Sequence, residues 1–206
     1  MTDFKTAQEA FWAGEFGSQY INRNPTDFEL AGRLALFAKI IGRTTHVRSV
    51  IELGANIGNN LRVLAQLLPG AALAAVEINQ DAADVLRQWG RAEVHHDSIL
   101  DFRTDQCYDL SLVSGVLIHM NPEVLPLVYD LLHRLSSRYI CLVEYYNPSP
   151  VEIPYRGHTG KLFKRDFAGE MLDRFSDLRL LDYGFIYHRD NNFPLDDLTW
   201  FLLEKG

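Results

Sequence analysis

From His46 onward, short apolar runs rich in β-branched residues alternate with longer stretches of helical periodicity, and no other feature restricts the possible folds of this chain so strongly. The alternation is the signature of βαβ units around a parallel sheet. Strands are expected at residues 47–53, 72–78, 92–96, 108–114 and 138–145, each short enough to cross a domain once. Between them lie helices at residues 59–68, stopped by Pro69-Gly70, at Gln80–Trp89, stopped by Gly90, and at residues 122–135, opened by Pro122. Parallel strands need such crossovers.

After Tyr145 the pattern changes. A proline-bearing loop, Asn147-Pro148-Ser149-Pro150, runs to about Lys161; a last helix follows at residues 165–175, then strands at residues 178–188 and 199–203 with no helix between them. Such a terminal pair implies an antiparallel hairpin at one edge of a parallel sheet. The expected fold is α/β: a Rossmann-like, mostly parallel seven-stranded sheet with an antiparallel C-terminal strand pair. Residues 1–45 read as two helices, 6–16 and 27–41, flanking the polar turn Asn22-Arg23-Asn24-Pro25. They form a helical cap or lid segment on the main domain, residues 46–206, the whole being one compact domain, as a length of 206 residues suits.

Composition removes several classes of function. With 20 basic against 27 acidic residues the formal charge is −7, which argues against the cationic surface that phosphate backbones require, so no nucleic-acid partner is expected. No stretch approaches the roughly 18 apolar residues of a membrane span. The N-terminus lacks the basic-then-apolar order of an export signal, and a cytoplasmic protein with no membrane partner is expected. Cys107 and Cys141 make neither a disulfide framework nor a zinc site; they are read as reduced thiols in or near the core, and no metal is expected.

The chemistry starts where the first strand turns into a helix, at Val50-Ile51-Glu52-Leu53-Gly54-Ala55-Asn56-Ile57-Gly58. Residues without Cβ at Gly54 and Gly58 let the backbone turn sharply and approach a ligand, with Asn56 between them. Glu77, followed by Ile78, ends the second strand, where a carboxylate can accept hydrogen bonds from both ribose hydroxyls of an adenosine cofactor. Asp97 follows the third strand. It can accept the adenine amino hydrogen while Ser98 or Ile99 offers a backbone amide, though an N-cap role explains Asp97 nearly as well. Glu52 sits at a buried strand end, where an unpaired carboxylate is costly unless a cationic ligand group meets it. Ser114-Gly115 leaves the fourth strand at the carboxyl edge of the sheet, where open α/β sheets bind ligands.

These residues favour a methyl-transfer cofactor over a nicotinamide one. A dinucleotide fold normally carries G-x-G-x-x-G, whose middle glycine admits the pyrophosphate; Ala55 and Asn56 stand there instead. S-adenosylmethionine has no phosphate and carries an ammonium and a carboxylate, which suits a looser turn beside an acidic strand end. An NAD-dependent oxidoreductase, a catalytically silent binding module and a protein methyltransferase are the alternatives.

The chain resembles the class I S-adenosylmethionine-dependent methyltransferases over about residues 46–204, and more narrowly the pseudaminic acid biosynthesis-associated methylases over nearly its whole length. The segments carrying the narrower resemblance are Gln8-Glu9-Ala10-Phe11-Trp12-Ala13-Gly14-Glu15-Phe16-Gly17, Glu52-Leu53-Gly54-Ala55-Asn56-Ile57-Gly58, Gly115-Val116-Leu117-Ile118-His119, Glu144-Tyr145-Tyr146-Asn147-Pro148, Tyr155-Arg156-Gly157-His158, Lys164-Arg165-Asp166-Phe167-Ala168-Gly169-Glu170 and Trp200-Phe201-Leu202-Leu203-Glu204-Lys205. The superfamily resemblance implies cofactor roles for Glu52, Gly54, Gly58, Glu77 and Asp97. The narrower one implies a small sugar-type acceptor, a nonulosonic acid or its nucleotide-linked form, methylated on oxygen or nitrogen.

For the acceptor, Tyr145, Tyr146 and Asn147 leave the fifth strand at the same edge, and Tyr155, Arg156, His158, Lys161, Lys164 and Arg165 concentrate positive charge in an acidic chain. Tyr145, Asn147, Tyr155, Arg156, Lys161 and Arg165 are the candidate acceptor-binding residues. Arg156 offers a planar fork for a carboxylate or phosphate. His158 and His119 are candidate bases, with Tyr146 beside them as a third candidate catalytic group. Trp12, Phe16 and Tyr20 recur at helical spacing, either as a core-facing stripe or as a lid that brings Tyr20 and Arg23 over the cofactor. The oligomeric state stays open, a homodimer being among the forms allowed.

Overall fold

The computed structural model describes residues 4–21 and 27–206. Arg23 and the rest of the polar turn 22–25 lie outside the described residues.

Strands β1 (Ser49–Leu53), β2 (Ala72–Glu77), β3 (Glu93–His96), β4 (Tyr108–Ser114), β5 (Ser136–Glu144), β8 (Leu178–Phe185) and β9 (Thr199–Lys205) form one seven-stranded sheet in the order β3-β2-β1-β4-β5-β9-β8. The first five are parallel; β9 runs antiparallel between β5 and β8. Helices α3 (Asp27–Ile41), α4 (Asn59–Leu67), α5 (Gln80–Trp89), α6 (Leu125–Leu135) and α7 (Phe167–Arg174) cover the sheet. Two short helices, α1 (Ala7–Ala13) and α2 (Glu15–Ile21), precede it, and a small hairpin, β6 (Val151–Glu152) with β7 (Phe163–Lys164), stands beside it.

Strand parity builds the two halves of the core. On β1, Val50 packs on one face with Phe37, Ile40, Leu61 and Leu86, from α3, α4 and α5, while Ile51 and Leu53 pack on the other with Val128, Leu132 and Met171. On β5 the same alternation sends Tyr139, Cys141 and Val143 to the first face and Ile140 and Leu142 to the second. A strand buried on both faces needs apolar residues at every position, which is why these runs lack polar alternation.

Several details depart from the sequence-based expectation. The expected helix over residues 6–16 is two helices, because Gly14 ends α1 in an extended conformation. Residues 147–161 are not one irregular loop: β6 lies within them and pairs with β7, so the segment folds back on itself. Helix α3 contributes Leu36, Phe37 and Ile40 to the core, so among residues 1–45 the covering role falls to α1 and α2. Cys141 is buried as expected, but Cys107 is exposed, because it lies in the turn that leads into β4. No helix among the described residues is long and apolar enough to cross a membrane.

Candidate functional site

The chain runs outward from β1 to β3 and then returns to start β4 on the other side of β1, so neighbouring loops part at the carboxyl ends of β1 and β4. Ligands of open α/β sheets bind at such a reversal. A cavity of about 480 Å³ opens there, within the range of small-molecule sites.

Its floor is the glycine turn. Gly54, Asn56 and Gly58 all have positive φ, at 71°, 49° and 81°. The amides of Gly54 and Ala55 both donate to the Val76 carbonyl, at 2.8 and 3.2 Å, which folds the turn back over the end of β2. A Cβ at Gly54 would lie 2.6 Å from Val116 Cγ2, and one at Gly58 2.3 Å from Leu86 Cδ2. Both glycines therefore serve curvature and packing, and only Gly54 of the two lines the cavity. Gly54→Ala combines a left-handed backbone with the clash against Val116, and is expected to lower stability by about 2–4 kcal/mol. The urea midpoint measures this, and an unchanged midpoint would mean that Val116 yields without cost.

Glu77 is buried, with Oε2 accepting from the Asn56 amide and Oε1 from the Asn79 amide, each at 2.7 Å. Burial raises its pKa above the ordinary carboxylate value, and the backbone amides of Asn79, Asn56 and Ile78 oppose that. A carboxylate oxygen has a second lone pair, so both oxygens can still receive hydroxyls from the cavity.

Glu52 shares its strand face with Val50 and so points toward α3 and α4. Its Oε1 accepts from Asn60 Nδ2 at 2.6 Å, and Asn60 Oδ1 accepts in turn from Arg33 Nη1 at 2.6 Å. Complete burial pushes the Glu52 carboxyl up to about 8, against the opposing pull of Asn60 and Arg33. Among the described residues, Glu52 Oε2, Arg33 Nε, Asn56 Oδ1 and Trp12 Nε1 are buried without a hydrogen-bond partner, and all four residues line this cavity. Buried polar atoms are nearly always paired. Four orphans around one cavity point to a polar ligand that pairs them.

Beyond β4 the chain leaves through Ser114 and Gly115. The buried Glu144 carboxylate gathers the amides of Val116, Leu117 and Ile118 at 2.9, 3.0 and 3.5 Å and so shapes this exit. Its pKa is pushed up to about 7 by burial, against the pull of those amides. Next comes His119, whose Nδ1 lies 2.6 Å from the Lys161 carbonyl. A carbonyl only accepts, so Nδ1 carries the proton and Nε2 presents a lone pair. Burial lowers the His119 pKa to about 4, which keeps the ring neutral at physiological pH.

The mouth is aromatic. Tyr20, Tyr145, Tyr155, Arg156, Asp196 and Leu198 line it. The Tyr145 hydroxyl lies near Asp196; burial first, then that carboxylate, raises its pKa. Tyr155 and His158 exchange backbone hydrogen bonds at 2.8 and 2.9 Å across a tight turn in which Arg156 has φ 50° and lies 5.5 Å over the Tyr155 ring. Over the mouth sit α1 and α2. Trp12 packs 4.8 Å from the His119 ring, and Phe11 and Phe16 stack at 4.1 Å. Asn79, the N-cap of α5, points its side-chain amide at the Trp12, Ala13 and Gly14 carbonyls, 3.2, 3.4 and 3.5 Å away, which ties this cover to the sheet.

Of the residues singled out from sequence, Glu52, Gly54, Asn56, Glu77, Ile78, Ser98, Ile99, Ser114, Gly115, Tyr20, His119, Tyr145, Tyr155 and Arg156 line the cavity. Others stand elsewhere. Asp97 turns its carboxylate onto the Ser98 amide at 2.8 Å and is not in the wall. His158 is exposed and packs 5.1 Å from Phe11. Tyr146 is exposed and packs against Phe201, and Asn147 closes a turn onto the Ser149 carbonyl. Lys161 donates to the Ala7 carbonyl at 2.9 Å, and Arg165 pairs with Glu170 at 2.7 Å, so both positive charges are held outside the wall. Among the lining residues not singled out from sequence are Glu9, Arg33, Asn60, Asn79 and Asp196. Thr6-Ala7-Gln8-Glu9 does carry a capping-box signature, and Arg33 is a charge set between the uncharged stretches Leu30-Ala31-Gly32 and Leu34-Ala35-Leu36 of α3.

No family model and no curated protein matches this chain by sequence. Solved structures do. A 1,6-didemethyltoxoflavin-N1-methyltransferase from Burkholderia thailandensis, with its substrate and S-adenosylhomocysteine bound, superimposes with a TM-score of 0.70 at 14% identity, covering 97% of this chain and 87% of that one. A magnesium protoporphyrin IX methyltransferase from Synechocystis PCC 6803, with S-adenosylmethionine bound, gives 0.66 at 12% identity and covers 100% of both chains. A plantazolicin methyltransferase in complex with S-adenosylhomocysteine gives 0.66 at 16% identity, covering 97% and 94%. The fold is therefore the Rossmann-like methyltransferase fold.

Proposed function

We propose that this chain is a cytoplasmic S-adenosylmethionine-dependent methyltransferase that methylates an oxygen or nitrogen of a compact, polar, sugar-type acceptor, a nonulosonic acid in free or nucleotide-linked form. The observation that carries the cofactor reading is the set of orphaned polar atoms beside the glycine turn. Glu52 Oε2 is an acceptor and Arg33 Nε a donor, which suits the ammonium and the carboxylate of a methionine moiety, while Glu77 suits the ribose hydroxyls. All line the one cavity, as do Ser114 and Gly115 where β4 ends. The structural neighbours that hold this cofactor or its product support the reading through their shared fold.

When bound, S-adenosylmethionine supplies a methyl group on a sulfonium already activated for displacement. The protein then has to align an acceptor, take its proton and exclude water. His119 Nε2, the unprotonated ring nitrogen, would receive the proton that the acceptor atom gives up on methylation. For an oxygen acceptor a neutral ring of low basicity would suffice, because that oxygen becomes strongly acidic as it is methylated; an amine nitrogen would not need this base to react. Tyr20, Tyr145, Tyr155 and Asp196 offer hydroxyls and a carboxylate to a polyhydroxylated acceptor, and Arg156 offers a fork to its carboxylate or phosphate. The sugar assignment rests on this lining together with the sequence resemblance. Trp12 and the α1–α2 cover keep water out.

Calorimetry is the first test: saturable, equimolar binding of S-adenosylmethionine and S-adenosylhomocysteine is expected, and folded protein that gives no binding heat with either would defeat the cofactor reading. Incubation with labelled cofactor and a panel of free and nucleotide-linked nonulosonic acids, read by mass spectrometry, then tests the acceptor class. Labelling confined to non-sugar compounds in a mixed panel would overturn it.

A further inference from the structure

We propose that Glu9 of the covering helix α1, and not Asp97 at the end of β3, reads the amino edge of the cofactor's adenine. The inference rests on the adenosine-cofactor reading of the cavity and adds the residue that selects the base.

The strand ends fix where a base would lie. Glu77 pairs in register with His96, and the Asp97 amide donates to the Glu77 carbonyl at 3.1 Å, so the residues after β3 flank the carboxylate that suits the ribose. A nucleoside held there extends its base between Ile78 and Ile99, which both line the cavity and offer apolar surface to a planar ring. The exocyclic amine of that base needs an acceptor. Asp97 is not placed to provide it, because it stands outside the wall, with one carboxylate oxygen on its own Ser98 amide.

Glu9 stands in the wall and is 7% exposed. Its Oε2 accepts the Thr6 amide at 2.8 Å, completing the capping box of α1. Its Oε1 accepts the Ser98 hydroxyl. That hydroxyl oxygen already accepts the Leu100 amide at 3.0 Å, so its hydrogen is committed to Glu9 and the side chain is fixed from two sides. Oε1 keeps a second lone pair for one more donor. Glu9 is thus an oriented, buried carboxylate on the base side of the cavity, carried by the element that covers it. An amino group there completes its hydrogen bonding. A carbonyl oxygen in the same place would set acceptor against acceptor, which is costly away from water.

The test compares S-adenosylhomocysteine with S-inosylhomocysteine, which carries a carbonyl where adenine has its amine, by calorimetry on the full chain. The wild type is expected to favour the adenosyl compound by about 30-fold or more. Glu9→Gln keeps a capping-box residue at this position and gains an amide donor, so the preference is expected to narrow to within about threefold. Asp97→Asn is expected to retain the wild-type ratio. An unchanged ratio in Glu9→Gln, or a collapsed one in Asp97→Asn, overturns the proposal. Should Glu9→Gln fail to fold, Ser98→Ala serves instead, since it frees the Glu9 carboxylate from its orienting donor; a ratio that stays at the wild-type value would again count against Glu9. Wild-type protein that binds neither compound refutes the cofactor reading itself, an outcome distinct from both.

Discussion

His119→Ala is expected to lower kcat by about 10²–10⁴-fold, the usual contribution of a positioned proton acceptor, while the affinity for S-adenosylhomocysteine stays within about threefold of wild type. Tautomer and burial together fit this ring to accept a proton. The Lys161 carbonyl 2.6 Å from Nδ1 leaves Nε2 as the acceptor, and burial lowers the pKa to about 4. The pH profile follows from that value. An ordinary histidine base gives an ascending limb near pH 6.5; this ring stays neutral above about 4, so its own limb lies there and the rate is level with respect to this group from about pH 5 upward. Turnover by His119→Ala close to wild type, with the acceptor identified by the panel, would remove the proton-transfer role. His158→Ala should turn over normally, because that ring is exposed and outside the cavity wall.

The second large effect concerns Glu52. Its carboxyl, pushed up to about 8, is protonated at neutral pH before an ammonium arrives and has to ionise to pair with it. Cofactor affinity should therefore rise by up to tenfold per pH unit from about pH 6 to 7.5, with proton release visible as a dependence of the binding heat on the buffer's ionisation enthalpy. Glu52→Gln should abolish that release and weaken binding at pH 8 by about 10–150-fold, the worth of a hydrogen bond to a charged group. A wild-type heat independent of buffer would show that Glu52 is already ionised in the free protein. Stability has a matching sign. For Glu52 and Glu144 the folded-state pKa is raised, so each contributes stability that is complete below the unfolded value of about 4.5 and lost as pH rises through about 8 and about 7. Through these two groups, the ligand-free protein is less resistant to urea at pH 8.5 than at pH 6, and bound cofactor offsets the loss at Glu52.

The sheet was legible because a strand buried on both faces and a helix buried on one leave different periodicities. That Glu52, Gly54 and Glu77 line the cavity was legible for a related reason: they sit where a strand ends, and the cavity opens at strand ends. What failed was anything that depends on side-chain direction or on partners remote in sequence. Asp97 has the right position, yet its carboxylate turns back onto the next residue. Lys161 and Arg165 have the right charge, but the Ala7 carbonyl and Glu170 consume it. Glu9 and Arg33 read as a helix cap and a charged helix position, and only the return of α1 and α3 over the sheet brings them to the cavity. Asp196 arrives from the loop between β8 and β9, whose path no local pattern specifies.

The insertion of β9 between β5 and β8 has a further consequence. It brings the loop carrying Asp196 to the same edge as the residues that follow β5, so Tyr145, Tyr155, Arg156 and Asp196 all come from the C-terminal stretch 145–198, whereas the glycine turn, Glu52 and Glu77 come before it. Under the proposed function, most of the acceptor-side lining is thus encoded apart from the glycine turn, Tyr20 and His119 being the exceptions. If the proposed function holds, exchange of the later length is expected to change the acceptor while the glycine turn, Glu52 and Glu77 stay as they are, which opens the scaffold to new acceptors through recombination as well as through point substitution.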